Sequence, residues 1–231
     1  MKTLAIIPAR GGSKRIPRKN IKDFLGKPII AYSINSALDS GVFDEVMVST
    51  DDIEIAEIAE HYGAIVPFYR SPEMSNDMAM TAPVLIEVLD KYKQLGKEFE
   101  YVACIYPTAP FITPKILKES MELLIKSNVD SVLPIVRYSY PPQRGLILEN
   151  GLVKMLYPEN YNVRSQDFTP YYHDCGQFYC LKTSALRQEQ KLYCKSTIPI
   201  ELPETAVQDI DNEEDWKIAE MKYKLLANYN K

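Results

Sequence analysis

The sequence has few of the side chains that zinc-binding and redox proteins depend on. Its 231 residues include two histidines and four cysteines, and no two cysteines form a CxxC pair. A zinc site is therefore disfavoured, and we expect free, buried thiols in a reducing cytoplasm. The cysteines are Cys104, Cys175, Cys180 and Cys194.

Long apolar runs and a strong charge of one sign are also missing. The formal net charge is −4, which gives no general attraction to nucleic acid or to a membrane surface. The apolar run at residues 4–7 is too short for the hydrophobic region of a signal peptide, and no window approaches a membrane span. We therefore expect a cytoplasmic protein.

The length allows one sizeable α/β core but not two full domains with linkers, so residues 1–231 are expected to form a single domain. Apolar runs and amphipathic segments alternate along the first part of the chain. This alternation is typical of the α/β class, with a doubly wound, mostly parallel sheet and helices on both faces.

Predicted strands or extended segments are residues 4–8, 46–49, 66–69, 102–106 and 132–135. Predicted helices run from Pro28 to Gly41, from Asp52 to Gly63, over residues 82–95, and from a Thr113 cap with Pro114 first.

Residues 137–174 break this alternation and are rich in tyrosine and proline. The sequence Glu149-Asn150-Gly151 predicts the turn of a β-hairpin. We interpret the segment as an insertion that serves as a lid or a dimer arm. The α/β pattern returns at residues 177–181, and a final helix is predicted over residues 212–228.

A segment rich in glycine and cations follows the first predicted strand. Residues 8–20 read PARGGSKRIPRKN, in which Gly11 and Gly12 allow backbone amides to approach phosphate oxygens. Ligands of open α/β sheets bind at the carboxyl ends of strands, so this segment predicts a polyphosphate cradle. A solvated basic turn is the alternative, and neither GxxxxGK[ST] nor GxGxxG is present. The cations are Arg10, Lys14, Arg15, Arg18 and Lys19.

A pair of aspartates near the C-terminus forms the second signal. If residues 208–211 are extended, Asp209 and Asp211 point to the same face, because strand side chains repeat every two residues. Two carboxylates on one face suit Mg²⁺, which takes its other ligands from phosphate and water. The alternative is an acidic pair that caps the helix beginning near Glu213.

Further polar residues follow predicted strands or lie in the insertion, where a nucleotide or sugar ligand would need them. Alternative roles are a helix cap for Asp51, a rigid turn for residues 106–110 and plain surface loops for the others. These residues are Asp51, Arg70, Asp77, Thr81, Tyr106, Thr108, Arg164, Gln166, Asp167, His173 and Gln177.

Taken together, these motifs resemble those of the sialic acid cytidylyltransferase family, which includes the 3-deoxy-manno-octulosonate enzymes. The segments 8–20, 49–51, 70–81, 106–110 and 209–211 occur in the family order, so the resemblance covers essentially the whole chain. It implies a Rossmann-like nucleotidyltransferase fold with a small dimerisation hairpin, and therefore a homodimer. It also implies Mg²⁺ as cofactor, CTP and a nine-carbon sugar acid as ligands, and no nucleic-acid or membrane partner.

The resemblance also implies roles for individual residues. Arg10, Lys19 and Asp211 are expected to be catalytic, and Asp209 with Asp211 to bind Mg²⁺. Expected nucleotide-binding residues are Ala9, Arg10, Gly11, Gly12, Ser13, Lys14, Lys19, Asn20, Arg70, Asp77 and Thr81. Expected sugar-binding residues are Tyr106, Thr108, Arg164, Gln166, His173, Gln177 and Tyr179.

Three segments, residues 143–144, 162–167 and 173–179, are most similar to the branch of the family that uses pseudaminic acid. Tyr106 stands where the sialic acid enzymes usually carry a glutamine that contacts the sugar, which disfavours N-acetylneuraminate. Legionaminate, an octulosonate and a non-catalytic nucleotide-binding module remain alternatives. A flavin- or dinucleotide-binding protein is disfavoured by the missing GxGxxG.

Overall fold

The first strand is apolar on both faces and therefore lies inside a layered structure rather than at its surface. Leu4 and Ile6 pack on one side of the sheet and Ala5 and Ile7 on the other, and all four are fully buried. Burying a side chain such as leucine or isoleucine contributes about 1.5–3 kcal/mol, so this strand anchors both layers.

The computed structural model describes residues 2–229. The strands in this range are β1 (Thr3–Pro8), β2 (Asp23–Phe24), β3 (Lys27–Pro28), β4 (Glu45–Ser49), β5 (Tyr101–Ile105), β6 (Ser131–Arg137), β7 (Leu146–Glu149), β8 (Leu152–Met155), β9 (Tyr172–Asp174), β10 (Phe178–Lys182) and β11 (Thr197–Glu201). The helices are α1 (Ile29–Ser40), α2 (Ile53–His61), α3 (Pro72–Ser75), α4 (Thr81–Gln94), α5 (Pro114–Ser127), α6 (Thr183–Glu189) and α7 (Glu213–Tyr229).

The central sheet has the strand order β11-β6-β10-β5-β1-β4, and β9 also pairs with β6. The strands β11, β6, β5, β1 and β4 run in one direction, whereas β10 and β9 run in the other. The predicted α/β class with a mostly parallel sheet is confirmed. Because β9 ends the insertion, that segment returns to the central sheet and does not leave it altogether.

Helices cover both faces of this sheet. The apolar sides of α1, α2 and α5 pack on the face that carries Ala5 and Ile7, and α4 and α6 pack on the face that carries Leu4 and Ile6. The aromatic residues Phe24, Tyr32 and Trp216 form a smaller cluster under the start of α7. The doubly wound arrangement follows from these two separate apolar layers.

Local signals set several helix ends as predicted. Gly41 ends α1 in the left-handed conformation (φ 66°). The cap of α2 is Asp52, whose side chain accepts a hydrogen bond from the N–H of Ile55 (3.1 Å), so the alternative of an Asp51 cap is wrong. Thr113 caps α5 as predicted. At the hairpin between β7 and β8, Asn150 (φ 50°) and Gly151 (φ 79°) form the predicted two-residue turn.

Six of these helices and strands were not predicted: α3, α6, β2, β3, β9 and β11. Helix α6 has seven residues, and β11 is a half-exposed edge strand with Pro199 at its centre, so neither has a strong periodic pattern. Residues 66–69 form no strand, and the extended pairing nearby is a single bridge between Met47 and Ile65.

All four cysteines are buried free thiols, as predicted. Within residues 2–229, no helix combines the length and the apolar character that crossing a membrane requires.

Candidate active site

The main cleft lies at the carboxyl ends of β1, β4 and β5, the edge where open α/β sheets bind their ligands. Its volume is about 470 Å³. Cations from the loop after β1 lie on one side, and the residues after β5 lie on the other. The lining residues are Pro8, Arg10, Ser13, Lys14, Arg15, Lys19, Asn20, Arg70, Asp77, Ala79, Thr81, Val84, Tyr106, Pro107, Thr108 and Asp211.

Backbone hydrogen bonds hold the loop after β1 against the end of β4. The N–H of Ala9 donates to the carbonyl of Ser49 (2.9 Å), and the N–H of Gly11 donates to Oδ1 of Asp51 (2.9 Å). The buried amide of Asn20 donates to the carbonyl of Arg10 (2.9 Å), which closes the loop from its other end. Asn20 thus shapes the cleft and also lines it.

The two glycines of this loop differ in the space that they have. A Cβ at Gly11 would lie 2.6 Å from Oδ2 and 3.0 Å from Cβ of Asp52, whereas nothing lies within 4 Å of a Cβ at Gly12. Asp52 is not free to move, because it caps α2 and pairs with Arg18.

We therefore expect Gly11→Ala to lower the free energy of unfolding by about 1–3 kcal/mol through overpacking and to reduce activity. Gly12→Ala is the matched control and should change stability by less than about 0.5 kcal/mol. Urea unfolding of both variants measures the difference. Equal stability of the two variants would contradict the predicted contact with Asp52.

Arg18 stabilises the loop through ion pairs and does not line the cleft. Its guanidinium donates to both carboxylate oxygens of Asp52 (2.5 and 3.0 Å) and to Glu54. The side-chain hydrogen bond to Asp52 is the main reason that the pKa of Arg18 is raised. This residue occupies a left-handed backbone conformation (φ 55°), and the bidentate pair helps to hold it there.

Two cations of the loop share one carboxylate across the mouth of the cleft. Nη1 of Arg10 donates to Oδ1 of Asp77 (2.7 Å), and Nζ of Lys14 pairs with Oδ2 of the same residue. These bonds to Lys14 and Arg10 lower the pKa of Asp77. Asp77 therefore belongs to the site through its contacts with the cations. A phosphate chain held by Arg10 and Lys14 would compete with it.

Lys19 connects the loop to the aspartate pair at the other end of the sequence. Its Nζ donates to the carbonyl of Ile210 and lies 3.9 Å from Oδ1 of Asp211. Burial lowers the pKa of Lys19, and the charges of Asp211 and Asp209 oppose that shift. Arg15 reaches the same Oδ1 of Asp211 (2.7 Å), so two cations converge on this carboxylate.

The segment that carries the two aspartates is not a strand, but its side chains alternate. Ile210 is buried in the cluster beneath α7, while Asp209 and Asp211 on either side of it are not buried. Desolvation and the charge of Asp211 raise the pKa of Asp209, so the two carboxylates lie close enough to repel each other.

The cap of α7 is supplied by other residues. Oδ1 of Asn212 accepts from the N–H groups of Glu214 (2.8 Å) and Asp215 (3.0 Å). Oδ2 of Asp215 in turn accepts from the N–H groups of Asp211 and Asn212. This reciprocal capping box excludes the alternative in which Asp209 and Asp211 cap the helix with their side chains.

The donor set of the aspartate pair fits Mg²⁺ rather than a closed metal site. In the described part of the chain, no cluster of three or more histidine, cysteine, aspartate or glutamate residues is arranged to hold a metal ion. Two repelling carboxylates that remain free of helix capping provide the one or two protein ligands that Mg²⁺ takes beside phosphate and water.

The wall below the loop is formed by Arg70. Its Nε donates to Oγ of Ser49 (3.1 Å), its Nη2 donates to the carbonyl of Ser49 (2.5 Å), and only 9% of the residue is exposed. Burial lowers the pKa of Arg70, with the charge of Asp51 acting in the opposite direction. A buried guanidinium with neutral partners is well placed to bind a polar ligand.

The opposite wall contains two tyrosines behind Thr81. The hydroxyls of Tyr106 and Thr81 lie 3.2 Å apart, and the ring of Tyr179 packs edge-on against Tyr106 with 5.7 Å between centroids. The side chain of Gln177 is turned away from the cleft and donates to the carbonyl of Ala206 (2.8 Å). Its backbone carbonyl accepts from the N–H of Tyr106 (2.8 Å), so Gln177 positions this wall from behind.

Five residues predicted to bind the sugar do not line the main cleft: Gln177 and Tyr179, which lie behind its wall, and Arg164, Gln166 and His173. Gln166 lines a second cavity of about 500 Å³ between the insertion and the segment after β11. Arg164 is exposed and pairs with Asp167 (2.8 Å), and His173 packs on Tyr138 with 4.7 Å between ring centroids. A single chain therefore does not bring Arg164, Gln166 and His173 to the cleft.

Sequence reasoning singled out Asp174 only as part of a longer segment and gave it no role. Its carboxylate accepts hydrogen bonds from Tyr179 and from the N–H of Gly176. The contact with Tyr179 joins two residues five positions apart across a turn, and no local pattern in the sequence marks it.

Comparisons with known proteins identify a family match and several relatives. Residues 4–215 match the family model described as "Cytidylyltransferase". The chain is 44% identical over 226 residues to the pseudaminic acid cytidylyltransferase of Campylobacter jejuni, with 97% of each chain covered. It is 34% identical to the CMP-N,N'-diacetyllegionaminic acid synthase of Legionella pneumophila, with 95% of each chain covered.

Among solved structures, the fold is similar to that of CMP:2-keto-3-deoxy-manno-octonic acid synthetase complexed with CTP. The TM-score is 0.72 at 19% identity, with 99% of this chain and 100% of the other covered. At that identity the likeness concerns the fold, and it agrees with the observed strand order. From the family match over residues 4–215 and the identity to full-length relatives, this chain belongs to the cytidylyltransferase family.

Proposed function

We propose that the protein transfers CMP from CTP to the anomeric hydroxyl of a nonulosonic acid, and that pseudaminic acid is the acceptor. The observation that carries this proposal is the 44% identity over 97% of both chains to a pseudaminic acid cytidylyltransferase. The main cleft supports it, because its cations and Asp211 match the needs of a nucleoside triphosphate.

The triphosphate is assigned to the cations after β1. Arg10 and Lys14 bind its outer phosphates once Asp77 releases them. Lys19 lies deeper, between the loop and Asp211, where the α-phosphate would have to sit. Arg70 and Thr81 are assigned to the binding of the cytidine.

Asp209 and Asp211 are assigned as the residues that hold Mg²⁺. When bound there, Mg²⁺ supplies positive charge beside the α-phosphate and favours the ionised form of the attacking hydroxyl. The charges of Lys19 and Arg15 on the same carboxylate keep Asp211 oriented toward the cleft.

The reaction forms one bond and breaks one. The anomeric oxygen of the acceptor bonds to the α-phosphorus, the bond from that phosphorus to the bridging oxygen breaks, and pyrophosphate leaves with the electron pair. The hydroxyl proton passes to a base, for which Asp211 is the candidate, because it lies beside Lys19, where the α-phosphate is assigned, whereas Asp77 pairs with Arg10 and Lys14 across the mouth of the cleft. Lys19 and Arg10 stabilise the charge that grows on the phosphate oxygens.

Pyrophosphate release from CTP in the presence of Mg²⁺ tests this function. We expect rapid release with pseudaminic acid and little with N-acetylneuraminic or legionaminic acid at equal concentrations. The reason is that Tyr106 occupies the position where sialic acid enzymes usually carry a glutamine.

Faster release with N-acetylneuraminic or legionaminic acid would contradict the choice of acceptor and leave the cytidylyl transfer standing. Absence of release with every acceptor would contradict the transfer itself. The variant Tyr106→Gln serves as a specificity probe, since it should shift the ratio of kcat/KM values toward N-acetylneuraminic acid.

We also propose that the protein is a homodimer joined through the hairpin of β7 and β8. The cross-strand register places Leu146, Leu148, Val153 and Met155 on one face of this two-stranded sheet. Leu146, Leu148 and Val153 are 63%, 74% and 63% exposed. An isolated hairpin of this kind is marginally stable, so an apolar face without a cover favours packing against a second copy. A partner chain would also bring further insertion residues near the cleft.

Replacing Leu148 by glutamate should therefore convert the dimer to a monomer, because it places a charge at the centre of the apolar face. The matched control is Ile147→Glu, which puts the same charge on the opposite face of the hairpin. Sedimentation velocity at micromolar concentration measures the difference. A dimer that survives Leu148→Glu, or dissociates equally in both variants, would contradict the proposed interface.

A further inference from the structure

The last residue of the insertion, Asp174, makes two contacts that the proposed reaction has not used. As part of β9 it pairs with Ile135 of β6 in the central sheet. Its Oδ2 accepts a hydrogen bond from the hydroxyl of Tyr179, and its Oδ1 accepts one from the N–H of Gly176 (2.8 Å). Both carboxylate oxygens are thus engaged within the protein although the residue is exposed.

Tyr179 connects Asp174 to the wall of the main cleft. The residue is 3% exposed, and its ring packs against that of Tyr106, whose hydroxyl lies beside Thr81. Burial raises the pKa of Tyr106 to about 12 and raises the pKa of Tyr179 as well. Both hydroxyls therefore keep their protons near neutral pH and can donate hydrogen bonds.

The backbone on either side of these rings is fixed independently. The carbonyl of Tyr106 accepts from Oγ of Ser33 (2.8 Å), and β10 holds Tyr179 opposite Cys104 of β5. What the backbone does not fix is the torsion of the two rings and the direction of their hydroxyls. The carboxylate of Asp174 accepts a hydrogen bond from the hydroxyl of Tyr179 and so fixes the direction of that hydroxyl.

We propose that Asp174 is a positioning residue for the acceptor: it fixes Tyr179, and Tyr179 holds Tyr106 in place against Thr81. This inference rests on the proposed function, which places the acceptor at Tyr106. Asp174 touches neither CTP nor the reacting atoms in this assignment. Thr81 is held independently as the first residue of α4, so the loss of Asp174 should weaken the binding of the acceptor at Tyr106 and leave the cytidine contact of Thr81 in place.

The test measures KM for CTP and for pseudaminic acid in the wild type and in four variants. Asp174→Ala and Tyr179→Phe should each raise KM for the acceptor on the order of tenfold, as expected for loss of a hydrogen bond to a charged group. KM for CTP should stay within about twofold of the wild type. Asp174→Asn keeps a weaker, neutral acceptor and should give an intermediate value. The double variant should be no worse than the more affected single variant, because both changes remove the same bond.

Asp90→Ala is the matched control, since Asp90 is an exposed aspartate near the end of α4 that pairs with Arg187 (2.7 Å). It should leave both KM values unchanged. An unchanged acceptor KM in Asp174→Ala would overturn the inference. So would a parallel rise of both KM values, or additive effects in the double variant, because either would indicate a general structural role.

Wild-type turnover separates this inference from the proposed function. If the wild type releases pyrophosphate with pseudaminic acid and the variants have the same KM for the acceptor, only the proposed role of Asp174 is refuted. If the wild type shows no release with any acceptor, the proposed function fails first, and the role of Asp174 falls with it.

Discussion

Replacing Asp211 by asparagine is expected to lower the rate of pyrophosphate release by a factor on the order of 10³. The substitution keeps the size of the side chain but removes the charge on which Arg15 and Lys19 converge. It also removes one of the two carboxylates assigned to Mg²⁺ and the candidate base. Turnover at saturating CTP and acceptor, followed by pyrophosphate release, measures the loss.

The fold should survive this change. The side chain of Asp211 is 43% exposed, and its backbone N–H still donates to Asp215 in the cap of α7. The matched control is Glu214→Gln, the same loss of charge on an exposed side chain in the first turn of α7. Circular dichroism should show equal melting temperatures for the two variants within a few degrees. Normal turnover by Asp211→Asn would remove Asp211 from the metal site and from catalysis.

Replacing Lys19 by methionine should lower kcat/KM on the order of 10²-fold. Methionine keeps most of the apolar stem of a side chain that is 18% exposed, but it cannot provide charge to the α-phosphate. The carbonyl of Ile210 also loses its donor, so the segment that carries Asp209 and Asp211 is held less firmly. Both effects reduce stabilisation of the transition state.

Lys22→Met is the control for this variant. Lys22 lies three residues further on, pairs with Glu213 (2.6 Å) and stacks over Trp216, outside the cleft. Its loss should cost about 0–1 kcal/mol of stability and leave kcat/KM near that of the wild type. Lys19→Arg should retain part of the activity, because the charge is kept while its position changes. If Lys19→Met is as active as Lys22→Met, Lys19 does not bind the reacting phosphate.

Much of the fold was predictable because its signals are local. Apolar runs that alternate with amphipathic segments marked the core strands and five helices, and the Thr113 cap marked the start of α5. The turn at Asn150 and Gly151 was equally readable, since left-handed backbone conformations favour these residue types. Short or half-exposed elements such as α6 and β11 lack a pattern long enough to detect.

The candidate site was predictable in its composition but not in its contacts. The cations after β1 and the two C-terminal aspartates were recognisable as types of residue suited to phosphate and Mg²⁺. Their contact partners were not predictable, because these lie far away in the sequence. Arg10 pairs with Asp77, 67 positions away, and Lys19 donates to the carbonyl of Ile210, 191 positions away. The same holds for Arg18, which has the charge of a phosphate ligand but pairs with Asp52 and Glu54.

The sequence by itself determined the α/β class, the glycine- and cation-rich loop, the acidic pair and the position of the hairpin. Each of these depends on side chains within a few residues of one another, where backbone preference and periodicity act. Only the tertiary structure decided which cations line the cleft, that Arg15 and Lys19 converge on Asp211, and that Asp174 reaches Tyr179. Those contacts depend on the order of strands in the sheet, which is set by packing across the whole chain rather than by any one segment.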